Sequence, residues 1–209
     1  MKIDNMKYYP HLLAIIFLVF FILLGIKPID RAVWIIEVIP VIFVYLLLLL
    51  TYYKFKFTHI SYTIMLIWLV WHTIGGHYTF ANVPFDFITD LFNFERNNFD
   101  RIGHLVIGFY AYPMAEFLTR KRYTNIVVAS FFGLFFIMSI AAGYEIVEWA
   151  YAVIDGGNTG IEFLGSQGDI WDAQKDMLAD TIGALISLSL FWYIRADKKV
   201  IKKHKEIRC

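Results

Sequence analysis

Six ionisable residues between positions 100 and 180 of the 209-residue chain fall into three pairs at helical spacing. Asp100 and His104 are four apart, Glu145 and Glu148 three, and Asp176 and Asp180 four, so each pair projects from one face of its own helix. Five carboxylates with Arg101 and His104 as their positive partners cannot all stay ionised in an apolar setting, because desolvation and like charge both oppose it. Shared protons, a divalent cation, or a cationic or hydrogen-bond-rich substrate would each relieve the excess. Imidazole and carboxylate donors together suit Zn²⁺ or Mn²⁺, and His104, Glu145, Glu148 and Asp176 are the expected ligands. His104, Glu145, Glu148, Asp100 and Asp180 are the candidates for acid–base work. Arg101, His72, His77, Trp149, Asp169 and Asp172 are the candidates for substrate contact, with Arg101 clamping an anionic group. The chain has neither an HExxH helix nor a D-x-[DN]-x-[DN]-G loop, so neither a zincin nor an EF-hand is expected.

Blander roles compete at several of these positions. Arg101 can pair with Asp100 or Asp176 at headgroup level, and His72 and His77 can be interfacial residues. Glu116 sits four residues before Arg120, which reads as an exposed i,i+4 pair. Glu37 is the one acid in the first two apolar stretches and either joins the cluster or reaches to the surface. The connection 76–100 is expected to ride on the surface, 156–160 to be a flexible Gly-rich turn, and 165–177 to cap the cluster.

The elements that must hold these residues are apolar. The chain is 59% apolar, with a mean hydropathy of +0.58, above the usual soluble range. Apolar stretches fall at 11–26, 32–53, 60–75, 101–118, 126–154 and 177–194, which predicts an all-α, polytopic membrane bundle of about six helices. The whole of 1–209 reads as one membrane domain: two hydrophobic spans in 1–59, a four-helix polar core in 60–194 and a basic cytoplasmic tail in 195–209. The first stretch lacks a small-x-small cleavage site and reads as a retained span. Fourteen of the nineteen Lys and Arg residues fall in the N-terminal segment, the second and fourth connections and the tail, so both termini are expected in the cytoplasm. With that topology all six paired residues lie within roughly 10–15 Å of the outer surface at 1.5 Å per residue. A charge at such depth costs at least about 2.5–3.5 kcal/mol, so it is expected to face the bundle interior and to mark a function. The Lys-rich tail is a topological anchor to the lipid bilayer, and no nucleic-acid partner is expected. Cys209 is the single cysteine, which excludes a disulfide framework and CxxC chemistry.

Four motifs, Trp71-His72-x-x-Gly75-Gly76-His77-Tyr78, Asp100-Arg101-x-Gly103-His104, Tyr144-Glu145-x-x-Glu148-Trp149 and Gln167-Gly168-Asp169-x-Trp171-Asp172-x-x-x-Asp176-Met177, resemble those of the YjdF-type bacterial inner-membrane proteins. The resemblance spans nearly the whole chain and implies a multi-pass protein of the bacterial plasma membrane, in a family without an assigned activity. A looser resemblance joins Asp100-Arg101-x-x-His104, Glu145-x-x-Glu148 and Asp176-x-x-x-Asp180-x-x-Gly183 to the VanZ-like pattern, with Arg for Lys, Glu for Gln and Asp for Asn. The expected function is a pocket near the outer face that binds or acts on a lipid-linked or other cell-envelope molecule. The alternatives are a proton-coupled transporter, using Glu145, Glu148 and Asp180, and a structural scaffold.

Overall fold

The computed structural model describes residues 8–194; the basic tail expected at 195–209 lies outside the described residues. Within them the chain forms nine α-helices and no strand: α1 Tyr9–Gly25, α2 Arg31–Thr51, α3 His59–Tyr78, α4 Asp86–Leu91, α5 Phe99–Gly108, α6 Ala111–Arg120, α7 Ile126–Asp155, α8 Asn158–Leu164 and α9 Asp172–Ile194. Local chemistry sets several boundaries. Asp30 caps α2 by accepting from the backbone N–H groups of Ala32 (2.7 Å) and Val33 (2.9 Å), and Asn125 caps α7 through Val128 N–H (3.0 Å). α7 stops at Gly156, whose φ of +60° is open to glycine at no steric cost.

Three helices, α2, α7 and α9, are long and apolar enough to cross a membrane, and α1 is a shorter apolar helix of 17 residues. Large apolar side chains such as Leu23, Leu50, Phe131 and Ile154 are exposed along α1, α2 and α7, as lipid-facing surfaces require.

The stretch expected as a fourth continuous span is two helices, α5 and α6, joined through Phe109 and Tyr110. Pro113 has no N–H to give the carbonyl of Phe109, and the turn tightens by one residue, with Tyr112 N–H on Phe109 O at 3.1 Å. The segment 156–160 also departs from a flexible turn: after Gly156 the chain enters α8, and the Asp155 carboxylate binds the N–H groups of Gly157 (3.2 Å) and Gly160 (2.9 Å). The 76–100 connection is only partly a surface loop. It contains α4, and Phe80, Val83 and Phe99 are buried together from it and the start of α5.

α5 packs most extensively on α9, α7 lies against α6 and α9, and α1 and α2 flank α3. At the α5–α9 crossing a Cβ on Gly183 would overlap the Leu105 carbonyl and come within 3.2 Å of Gly108 Cα, so the backbones meet through two glycines. Close approach through small residues is how helices gain packing energy in lipid, where burial itself supplies little. Gly108 lies one turn beyond His104, and Gly183 one turn beyond Asp180. The crossing therefore sets the distance between those two side chains.

Candidate functional site

Paired residues from three helices converge at one end of the bundle in two layers of different charge balance. The outer layer is a cap of three acids and three bases. Arg101 reaches Asp172 Oδ1 (2.6 Å), Asp176 Oδ1 (3.2 Å) and Asp169 Oδ2 (3.4 Å), while its remaining nitrogen faces Asn98 Oδ1 at 3.4 Å. Arg96 binds Asp172 and the carbonyls of Ser166 (3.2 Å) and Gly165 (3.4 Å). Lys175 Nζ closes on Asp169 Oδ2 at 2.6 Å. Asp169 lies in the loop before α9, and its carboxyl is pulled down to about 2, first by the Lys175 hydrogen bond and next by the backbone N–H of Trp171. The cap expected from 165–177 thus forms, with Arg96 added.

Beneath it lies a carboxylate-rich layer: Glu37, Asp100, Glu145, Glu148 and Asp180, accompanied by His72 and His104. His104 Nδ1 is 2.9 Å from Asp180 Oδ2. With a carboxylate as partner, Nδ1 carries the proton and donates, which leaves Nε2 to the other carboxylates. Asp100 Oδ1 and Glu145 Oε1 lie 3.8 and 3.9 Å from that Nε2. Asp180 is 1% exposed, yet its Oδ1 has no hydrogen-bond partner among the described residues, and the same holds for Glu145 Oε1. The start of α5 is fixed by Trp71, whose ring stacks on Phe99 at 4.3 Å and whose Nε1 donates to Phe99 O at 3.0 Å.

Glu37 joins the cluster rather than reaching for the surface. His72 Nε2 lies 3.0 Å from its backbone carbonyl and 3.1 Å from its Oε2, and Tyr144 donates to the same Oε2 at 3.1 Å. Glu148, buried on α7, lines a cavity of about 450 Å³ that also touches Glu37, Asp100, His104, Tyr144 and Asp180.

Two expected contact residues are placed elsewhere. His77 donates through Nδ1 to Leu24 O at 2.7 Å, against the end of α1. Trp149 is 63% exposed on α7. Glu116 pairs with Arg120, as its spacing suggested, but the pair is no surface feature: Glu116 is fully buried, because Thr58 and Ser61 of the α3 N-terminus supply further donors. Sequence reasoning missed Tyr144, Arg96 and Lys175 as members of the site. Tyr144 precedes Glu145 directly, and that adjacency was its signal; Arg96 carried no helical spacing signal.

Apolar helices that bury a two-layer ionic cluster define a polytopic membrane protein. More particularly, the chain belongs to the family described as predicted membrane protein (DUF2238), whose family model matches residues 9–197. It is 35% identical over 167 residues to the inner membrane protein YjdF of Escherichia coli (strain K12), covering 78% of this chain and 79% of that one. The family and the membrane location expected from the motifs are borne out. No solved structure matches.

Proposed function

We propose that the protein takes an amphiphilic envelope molecule from the bilayer, seats its hydrocarbon chain between α2 and α7, and holds its head group at the His104 cluster for acid–base hydrolysis or transfer. The observation that carries this reading is the shape of the cavity. From the carboxylates it continues along α2 from Glu37 to Thr51, about 21 Å at 1.5 Å per residue. Its walls there are apolar, with Leu48 and Phe117 among them. A volume of about 450 Å³ lies within the roughly 300–1,000 Å³ of small-molecule sites. Phe43, 65% exposed, and Leu47 on α2, with Ile140 on α7, line the cavity and also face outward. α2 packs on α3 and α8 but not extensively on α7, which supports a mouth between them that opens sideways to lipid.

The polar end suggests which head group fits. Arg101 is held by three carboxylates and one amide, so it offers an anion no open edge. The layer below is acid-rich, which favours a hydroxyl-rich or cationic head group over a phosphate monoester. His104, oriented by Asp180, is the natural proton acceptor, and Glu145 or Glu148 the natural donor. Apolar walls offer protons no relay toward the far end, which weighs against the transporter.

The test is lipid analysis of protein purified in mild detergent, by native mass spectrometry and extraction. One amphiphile of a single class is expected per chain, and it should be lost from an Ile140→Trp variant that still folds. Equal lipid in wild type and in the cavity-filled variant would sink the reading.

A further inference from the structure

We infer that His104, Asp100, Glu145 and Asp176 form a site for one divalent cation of the Zn²⁺ or Mn²⁺ type. The inference rests on the geometry around His104 Nε2, whatever the cavity holds; an ion there takes the lone pair that proton acceptance would use, so it stands beside the lipid-binding part of the proposed function and replaces His104 as its proton acceptor. Three observations lead to it.

The first is the second shell. A ligating histidine almost always donates its other ring nitrogen to a carboxylate or carbonyl, which fixes the ring and makes the free nitrogen more basic. His104 Nδ1 has that partner in Asp180 Oδ2 at 2.9 Å, and Asp180 is itself held in place by the glycine crossing of α5 and α9.

The second is spacing. Asp100 Oδ1 at 3.8 Å and Glu145 Oε1 at 3.9 Å from Nε2 are too far for hydrogen bonds. Donors bound to one ion at about 2.0–2.2 Å lie roughly 3–4 Å from each other, so these separations suit a shared ion. One ligand atom from each of Asp100, His104 and Asp176 falls within 4.8 Å of the others. Glu145 lies outside that set of three, and its Oε1 approaches His104 Nε2 from α7.

The third is an unmet demand. The Glu145 side chain is 9% exposed, and its Oε1, the atom nearest His104 Nε2, has no hydrogen-bond partner among the described residues. A buried carboxylate oxygen left without a donor is costly, and a cation supplies what is missing. The cap cannot, because its three bases are already engaged with Asp169, Asp172 and Asp176. One imidazole with several carboxylates favours Mn²⁺ or Zn²⁺ over Cu(I), which prefers sulfur. Relative to the ligands expected from spacing, the geometry nominates Asp100 in place of Glu148.

The experiment uses the full chain in detergent, stripped with EDTA and then dialysed against MnCl₂ or ZnCl₂. Elemental analysis gives occupancy, Mn²⁺ electron paramagnetic resonance reports the bound ion, and thermal unfolding is followed in parallel. One ion per chain is expected, with a raised Tm on loading. Glu145→Gln is the decisive variant, since the carboxylate it removes has an oxygen with no hydrogen bond to lose. It should keep the fold and lower metal affinity at least about tenfold, the loss that even outer-shell changes cause. His104→Ala should do the same, and Asp90→Asn on exposed α4, away from the cluster, should bind like wild type. Folded, supplemented wild type without metal, or Glu145→Gln with undiminished affinity, would overturn the inference. Lipid copurification is scored separately, so either reading can fail while the other stands.

Discussion

Glu116 and Glu145 are both glutamates withdrawn from solvent in the same bundle, and their surroundings could hardly differ more. Glu116 accepts from Thr58 N–H (2.8 Å), Thr58 Oγ1 (2.7 Å), Ser61 Oγ and Arg120, so its charge is met by four donors from two elements. Glu145 keeps an oxygen without a hydrogen-bond partner among the described residues, in a layer where carboxylates outnumber bases. The first is a satisfied network that ties the N-terminus of α3 to α6; it has no capacity left for a ligand. The second holds binding capacity in reserve. Burial of a charge marks cost at both places, but only unsatisfied burial marks a site.

Substitutions at the two ends should separate these roles. The largest effect is expected where the acidic end is assembled: Gly183→Val drives a branched side chain into the Leu105 carbonyl and should leave no folded protein by size exclusion in detergent. Normal yield and Tm would mean that the α5–α9 crossing does not position the site. Next comes Glu116→Ala, which strands Arg120, Thr58 and Ser61 and should cost about 3 kcal/mol, read by denaturant or thermal unfolding. Glu145→Gln, by contrast, should shift stability by less than about 1 kcal/mol, in the stabilising direction, because it removes charge from an acid-rich layer. If it destabilises as much as Glu116→Ala, the contrast between the two ends is lost. The smallest effect belongs to Asp169. Its folded carboxyl titrates near 2, below the ordinary 3.8, so its contribution is complete above about pH 4 and fades as pH falls toward 2. Asp169→Asn should therefore narrow its Tm gap to wild type across that window.

Much of the site was legible because the helix imposes a fixed geometry on sequence spacing. Asp100 with His104 and Asp176 with Asp180 could be put on shared faces without any knowledge of tertiary structure, and they do meet. What spacing cannot report is which distant segment supplies a partner. Glu37 lies in a uniformly apolar helix, and only the packing of α2 on α3 brings His72 to it. Arg96 follows no helical period and reaches Asp172 because α5 and α9 cross closely. Glu116 was placed with the right partner and the wrong exposure, since local spacing shows Arg120 but not the α3 terminus above it. The break at Phe109 was foreshadowed by Pro113, whose weight against a long apolar stretch is hard to judge beforehand.

If the gap between α2 and α7 is the way in, dose is counted in two dimensions. A ligand that arrives sideways is governed by its mole fraction among neighbouring lipids, and the water volume drops out. Diluting vesicles with buffer would then leave occupancy untouched, whereas diluting the leaflet with inert lipid would lower it. Saturation curves taken at different vesicle concentrations should merge once the axis is surface density.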